Sequence, residues 1–220
     1  NYFQLNYDTR QSFPTSQYIM AFGEYASTSR DLEFLQNNIA KLRQAIMWEL
    51  ECLKGKQGML DISYLQGHDG IPGIVGHGIS DCYYDITPSP AINFWSNINF
   101  YNALKTVIAV EKMAAAYGIT DATANIRHPY NVDERIQWNY SVTDLEMILS
   151  NLKTNIEKPY VDGDYDWSEK GGFWDAATGR FIQGVTAEGN KLDYGYLHYN
   201  LEAISYGIGT DAQVKSIMDW

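Results

Sequence analysis

Residues 76 to 95, GHGISDCYYDITPSPAINFW, hold two acids, two tyrosines and a tryptophan in a stretch that glycine and proline turn repeatedly. Carboxylates and aromatic rings together suit one chemistry well. Cleaving a glycosidic bond needs one carboxylic acid to protonate the leaving oxygen and one carboxylate to activate water or attack carbon. Flat rings with polar tips match a pyranose, which has C–H groups on its faces and hydroxyls at its edges. Asp85 follows Tyr83 and Tyr84 and precedes Ile86, so partial desolvation would raise its pKa toward that of an acid catalyst. Asp85 could equally cap a turn against Thr87, or accept from sugar hydroxyls without moving a proton. Glu202 is the second candidate, because YLHYNLE places His198 and Glu202 four apart on one helix face, with Tyr199 beside them.

Other residues compete less well. Asp69 and His68 sit in QGHDG, a plausible turn, and are read as substrate contacts along with Tyr83, Tyr84, Trp95, Trp174, Tyr196 and His198. Asp162, Asp164 and Asp166 in DGDYD read as solvated loop acids, since the Glu that closes a calcium loop is missing. His68, His77, His128 and His198 show no metal-ligand spacing, so no metal and no cofactor is expected. No glycine-rich nucleotide loop or GxSxG elbow is present, and Cys52 and Cys82 lack the setting of a catalytic thiol.

Composition narrows the partners. The 220 residues carry 17 Tyr, 6 Trp and 8 Phe, more rings than a core alone needs. A net charge of −11 repels phosphates and anionic lipid, so neither nucleic acid nor membrane is expected, and a neutral oligo- or polysaccharide fits. No apolar run approaches a membrane span. That points to a water-soluble chain and is compatible with secretion or the periplasm. The chain begins at Asn1 with neither Met nor a signal-peptide pattern, and is expected to be a processed or shortened product.

The elements that must position these residues are mostly helices. Leu32, Leu35, Ile39, Leu42, Ile46, Leu50 and Leu53 form a stripe over 31–54, stopped by Gly55 and Gly58. A shorter helix precedes it in SQYIMAFGEYAST. A second long helix covers 93–117, with Phe94, Ile98, Tyr101, Leu104, Ile108 and Tyr117 inward and Gly118 as its stop. Thr143 and Glu146 read as a capping box, with Leu145, Leu149, Leu152 and Ile156 inward and Pro159 at the end. RFIQGV and KLDYGY read as two strands joined at AEGN. A further helix buries Leu197, Leu201 and Ile204, and Thr210 with Gln213 caps a last one carrying Val214, Ile217 and Met218. Long connections at 55–92, 118–142 and 157–180 separate helical pairs, and loops of that length usually carry function.

The order of STSRDLEFL, LQNNIAKLRQAIMWEL, GHDGIPG, DCYYDITPSP, NINFYNALKTVIAVEKMAAAYG, FWDAATGRFI and DYGYLHYNLEAISYG resembles the six-hairpin (α/α)6-toroid glycosidases. That group includes glycoside hydrolase families 63 and 37, glucoamylases and rhamnosidases. The resemblance covers most of 17–220. It implies that Asp85, at the place of the Asp in a GWDxS segment before a barrel helix, is the general acid. Tyr84 stands where that segment has Trp, and Thr87 where it has Ser. A full toroid has twelve helices and six or seven are read here, so the resemblance implies an incomplete toroid whose catalytic base lies beyond Trp220.

The reading is a single, partial domain over 1–220, mainly α, of helical hairpins of (α/α)6-toroid type with one short β-hairpin near 180–195. A glycoside hydrolase, or part of one, is the leading function, active where the rest of the toroid is supplied. Exposed helix flanks call for a second chain or a homo-oligomer. A non-catalytic sugar-binding or assembly protein on the same scaffold is the alternative. A toroid lyase would want more basic residues near the loops than Arg10, Arg127, Arg135 and Arg180, and an epimerase would need His77 and His198 brought together.

Overall fold

The computed structural model describes residues 13–62, 90–120, 123–128, 131, 133–162, 171–186 and 189–220. Among them are six α-helices: α1 (Phe13–Ser29), α2 (Leu32–Met47), α3 (Phe94–Ala116), α4 (Val142–Glu157), α5 (Leu197–Tyr206) and α6 (Asp211–Asp219). Seven strands of two or three residues lie between them: β1 (Ile92–Asn93), β2 (Asn125–Arg127), β3 (Arg135–Gln137), β4 (Trp174–Asp175), β5 (Arg180–Phe181), β6 (Gly184–Val185) and β7 (Lys191–Leu192). The molecule is mainly helical with short antiparallel hairpins, as a partial helical toroid requires.

The pairing of α1, α3 and α5 decides the architecture. Phe13 meets Trp95 near the starts of α1 and α3, and further on Met20 meets Asn102 and Gly23 lies against Thr106. The two helices therefore run in the same direction. Trp95 stacks on Tyr199 at the start of α5, and Lys105 donates to the Tyr206 carbonyl near its end, so α5 also runs with α3. The intervening helices run back. Phe22 packs on Phe34 and Ser16 donates to Glu49, which makes α2 antiparallel to α1. Lys112 pairs with Glu146, while the far end of α4 reaches the Gly58 carbonyl through Asn155. Three parallel helices thus form one layer, with α2, α4 and α6 as their returning partners.

Local sequence explains each piece. Asp31 caps α2 by accepting from Phe34 N–H at 2.9 Å. After Met47 the helix widens into one π-turn, Trp48–Cys52, before Lys54 takes a left-handed conformation (φ 61°) and the chain turns away. α3 is buried on most sides, which suits the centre of the layer. Arg43 on α2 grips Glu111 on α3 through two bonds of 2.8 Å, a paired fork that fixes their orientation. Gly23 is required by the close approach of α1 and α3, since a Cβ there would lie 2.2 Å from Thr106 Cγ2.

Several expectations need correction. The α4 capping box is Ser141 with Asp144, two residues earlier than Thr143 with Glu146. Leu197 and Leu201 are 43% and 41% exposed, and α5 instead buries Tyr199, Asn200 and Ala203. Leu32, Tyr117 and Met218 are exposed too, because each lies at a helix end or on an outer flank. RFIQGV is not one strand: β5 pairs with β4, while β6 pairs with β1 and β7. The β6–β7 hairpin falls within the expected region, but β2–β3 and β4–β5 are two further hairpins. The Gly118 stop (φ 74°), the Thr210–Gln213 capping box and the buried Cys52 agree with the sequence reading.

Candidate functional site

The connections that lead into α3 and α5 meet at one end of the parallel layer. β1, immediately before α3, pairs with β6, with Ile92 opposite Val185 and Asn93 opposite Gly184. Phe94 N–H donates to the Gln183 carbonyl at 2.9 Å, so the first turn of α3 is tied to the chain that precedes α5. The Asn200 side chain accepts from Phe181 N–H at 2.9 Å and donates back to its carbonyl, which ties α5 to β5. Asp175 stiffens the neighbouring turn by accepting from Ala177 N–H, the Thr178 hydroxyl and the Lys191 ammonium. Burial works against its charge, but these donors outweigh it and hold the carboxyl below its ordinary pKa.

Glu202 lies at this end, on the second turn of α5. Its Oε2 accepts from Trp95 Nε1 at 2.8 Å and its Oε1 from the Tyr206 hydroxyl at 2.7 Å. Each oxygen therefore accepts one protein hydrogen bond. Tyr206 is pushed up in pKa by burial and by Glu202, so it stays a donor. The Trp95 ring is 5% exposed, stacked on Tyr199 at 5.5 Å and covered by Phe13 at 4.8 Å. Its contribution is therefore the indole N–H held toward Glu202.

The aromatic run continues outward. Tyr199 meets Tyr196 edge-on at 5.3 Å and His198 at 4.2 Å, and Tyr196 lies 5.6 Å from Tyr194. Tyr194 and His198 are exposed and Tyr196 is half-buried, so rings reach solvent beside the anchored carboxylate. Burial lowers the His198 pKa, and the Glu202 charge opposes that shift. Below its ordinary value, the imidazole is neutral at pH 7.

Of the ten residues selected from sequence, the structure brings Trp95, Tyr196, His198 and Glu202 together. Trp174 is placed with Phe181, edge-on at 5.2 Å, and Phe181 stacks on Phe94 rather than on the Tyr196 run. His68, Asp69, Tyr83, Tyr84 and Asp85 lie outside the described residues, as does His77. Tyr206, Tyr194 and Phe13 were missed. Tyr206 had a signal, standing four residues beyond Glu202 on one helix face. Among the described residues no group of three His, Cys, Asp or Glu side chains is placed to hold a metal ion, and no helix is long and apolar enough to cross a membrane.

No protein-family model matches the chain, and no curated protein matches it. Among solved structures the chain is similar to the crystal structure of a GH78 family rhamnosidase of Bacillus sp. GL1. The TM-score is 0.58 at 17% identity, over 92% of this chain and 16% of that one. This likeness supports the fold. It is to family 78, not to family 63 or 37, and rhamnosidases are among the six-hairpin enzymes that the sequence resembles. The chain spans well under a fifth of the length of that enzyme.

Proposed function

We propose that this chain is a carbohydrate-active, glycoside-hydrolase-like unit whose sugar site lies at the N-terminal ends of α3 and α5. One observation carries the reading: the Glu202 carboxylate is held by Trp95 and Tyr206 next to rings that reach solvent. Each carboxylate oxygen accepts one protein donor and keeps a lone pair for a sugar hydroxyl or a water. Tyr196, with Tyr194 beside it, offers a ring face to a pyranose, and His198 adds a polar edge. Trp95 acts through its N–H as a positioning residue, not as a stacking platform.

In a hydrolytic reaction the roles divide by environment. Glu202, charged and doubly bonded, is suited to orient water or to stabilise positive charge developing at the sugar carbon. The acid role falls to Asp85 on the strength of the sequence resemblance. An oligosaccharide-binding role without turnover is the second reading, and it is favoured by the same geometry, since a carboxylate engaged at both oxygens is already a good hydroxyl acceptor.

The test is hydrolysis of a panel of aryl glycosides, aryl rhamnoside included, by the wild-type chain, Asp85→Asn and Glu202→Gln. Turnover that falls at least a hundredfold in both variants supports hydrolysis. Sugar binding that Glu202→Gln weakens, without turnover in any protein, supports the second reading. Neither binding nor turnover on any sugar refutes both.

A further inference from the structure

A cleft of about 300 Å3 lies between α1 and α3, away from the Trp95 end. That volume is at the lower end of the range for small-molecule pockets. Along the helix axes the cleft runs from Met20 and Asn102 to Ser27 and Met113. Its apolar walls are the two methionines and Val110, and no aromatic ring lines it.

Its polar groups are mostly acceptors. Glu24 brings a carboxylate that makes no ion pair among the described residues. The Ser27 hydroxyl donates to the Glu24 carbonyl at 3.1 Å, and the Thr106 hydroxyl donates to the Asn102 carbonyl at 2.9 Å. With its proton engaged, each hydroxyl has only lone pairs left to offer. Asn102 gives one N–H to Met20 Sδ at 2.9 Å, and keeps its carbonyl oxygen and its other N–H.

The backbone adds to this bias. Because α1 and α3 run in the same direction, their C-terminal ends lie on the same side, and each end carries partial negative charge. Neither helix has a basic residue in its last turn. On α3, Lys112 is engaged by Glu146 and Lys105 by the Tyr206 carbonyl. Arg30 follows the end of α1 and is not among the residues that line the cleft.

We propose that this cleft binds a small organic ammonium, a protonated primary amine with a short apolar body. Three N–H donors and no acceptor complement the Glu24 carboxylate, the two hydroxyl oxygens and Asn102 Oδ1. The apolar body lies against Met20, Val110 and Met113, whose flexible thioethers adapt to its shape. The proposal does not depend on what the Glu202 site binds.

The test is a titration of the 220-residue chain, labelled at its methionine methyl groups, with benzylammonium, followed by NMR. Met20 and Met113 signals should shift along one saturable curve, while Met147 and Met218, exposed elsewhere, should stay in place. Benzyl alcohol, which has the same shape without the charge, should bind about tenfold more weakly or worse. Glu24→Gln, at an exposed position, should weaken benzylammonium binding by a similar factor with unchanged circular dichroism. Asp133→Asn removes the same charge at an exposed site outside the cleft and should change nothing, and Glu202→Gln should change nothing either. Equal binding of the alcohol would reduce the cleft to an apolar groove and overturn the proposal. Equal weakening by Asp133→Asn would assign the effect to the overall charge of −11, and unsaturable shifts of all methionines would show no site; both also overturn it.

Discussion

Replacing Trp95 by Phe removes one N–H and leaves a ring between Phe13 and Tyr199. In the wild type that N–H reaches Glu202 Oε2 at 2.8 Å. A hydrogen bond to a charged group is worth about 1.5–3 kcal/mol. Glu202 is half-buried, so water replaces part of the lost bond, and the expected loss lies near ~1.5 kcal/mol. Trimming the nearly buried indole adds about 1–2 kcal/mol of lost packing, a fraction of a full Trp→Ala truncation. The two contributions separate in a double-mutant cycle. Glu202→Leu removes both acceptors, and Trp95→Phe in that background retains only the packing loss. The coupling between the two substitutions should be about 1–2 kcal/mol, read from urea unfolding followed by far-ultraviolet circular dichroism. A coupling below about 0.5 kcal/mol would mean that the indole does not hold the carboxylate, and the account of the site would lose its anchor.

Three other expectations rest on separate observations. Burial, with the Glu51 charge adding to it, pushes the Cys52 thiol up to about 11, so in a Cys82→Ser background a thiol reagent at pH 8 should react only after denaturant is added; rapid native labelling would contradict the buried placement. Gly23→Ala should destabilise α1 against α3 by about 1–3 kcal/mol because its Cβ meets Thr106 Cγ2, and adding Thr106→Ser, which removes that methyl, should restore most of the loss in thermal unfolding. The lowered Asp175 pKa gives stability that is fully present above the ordinary carboxylate value and is lost as pH falls through the folded value. Asp175→Asn should therefore melt below wild type at pH 7 and approach it in acid, and a gap that widens in acid would reverse the sign of the linkage.

The helices were legible because α2 and α4 follow one strong period: Leu35, Ile39, Leu42 and Ile46 are all fully buried, and so are Leu145, Leu152 and Ile156. The α5 phase was not legible. Leu197, Leu201 and Ile204 make the expected stripe, but the structure turns Tyr199 inward because Trp95 lies across from it, a contact more than a hundred residues distant in sequence. The β2–β3 hairpin was not legible because its alternation is only three residues long in each strand, with Ile126 opposite Ile136 between polar pairs. It is placed by long-range bonds, Gln44 to the Asn125 carbonyl and Trp138 N–H to the Ala124 carbonyl, with Arg43 over the Trp138 ring. Within the site, the sequence singled out Glu202 and its helical face. It did not show that Trp95 occupies one carboxylate oxygen, because that depends on α3 and α5 running parallel, whereas Tyr206 lies four residues on along the same helix. That arrangement changes Glu202 from a generic cleft acid into a fixed acceptor.

The most direct measurement of the central claim is saturation-transfer NMR on the wild-type chain with neutral oligosaccharides, rhamnose-containing ones among them, repeated with Tyr196→Ala and with Glu202→Gln. The account predicts transfer to sugar C–H protons in the wild type, loss of that transfer in Tyr196→Ala, and at least tenfold weaker binding in Glu202→Gln. Transfer that persists unchanged in both variants would place sugar binding elsewhere on the molecule. The anchored carboxylate and its aromatic run would then be packing alone.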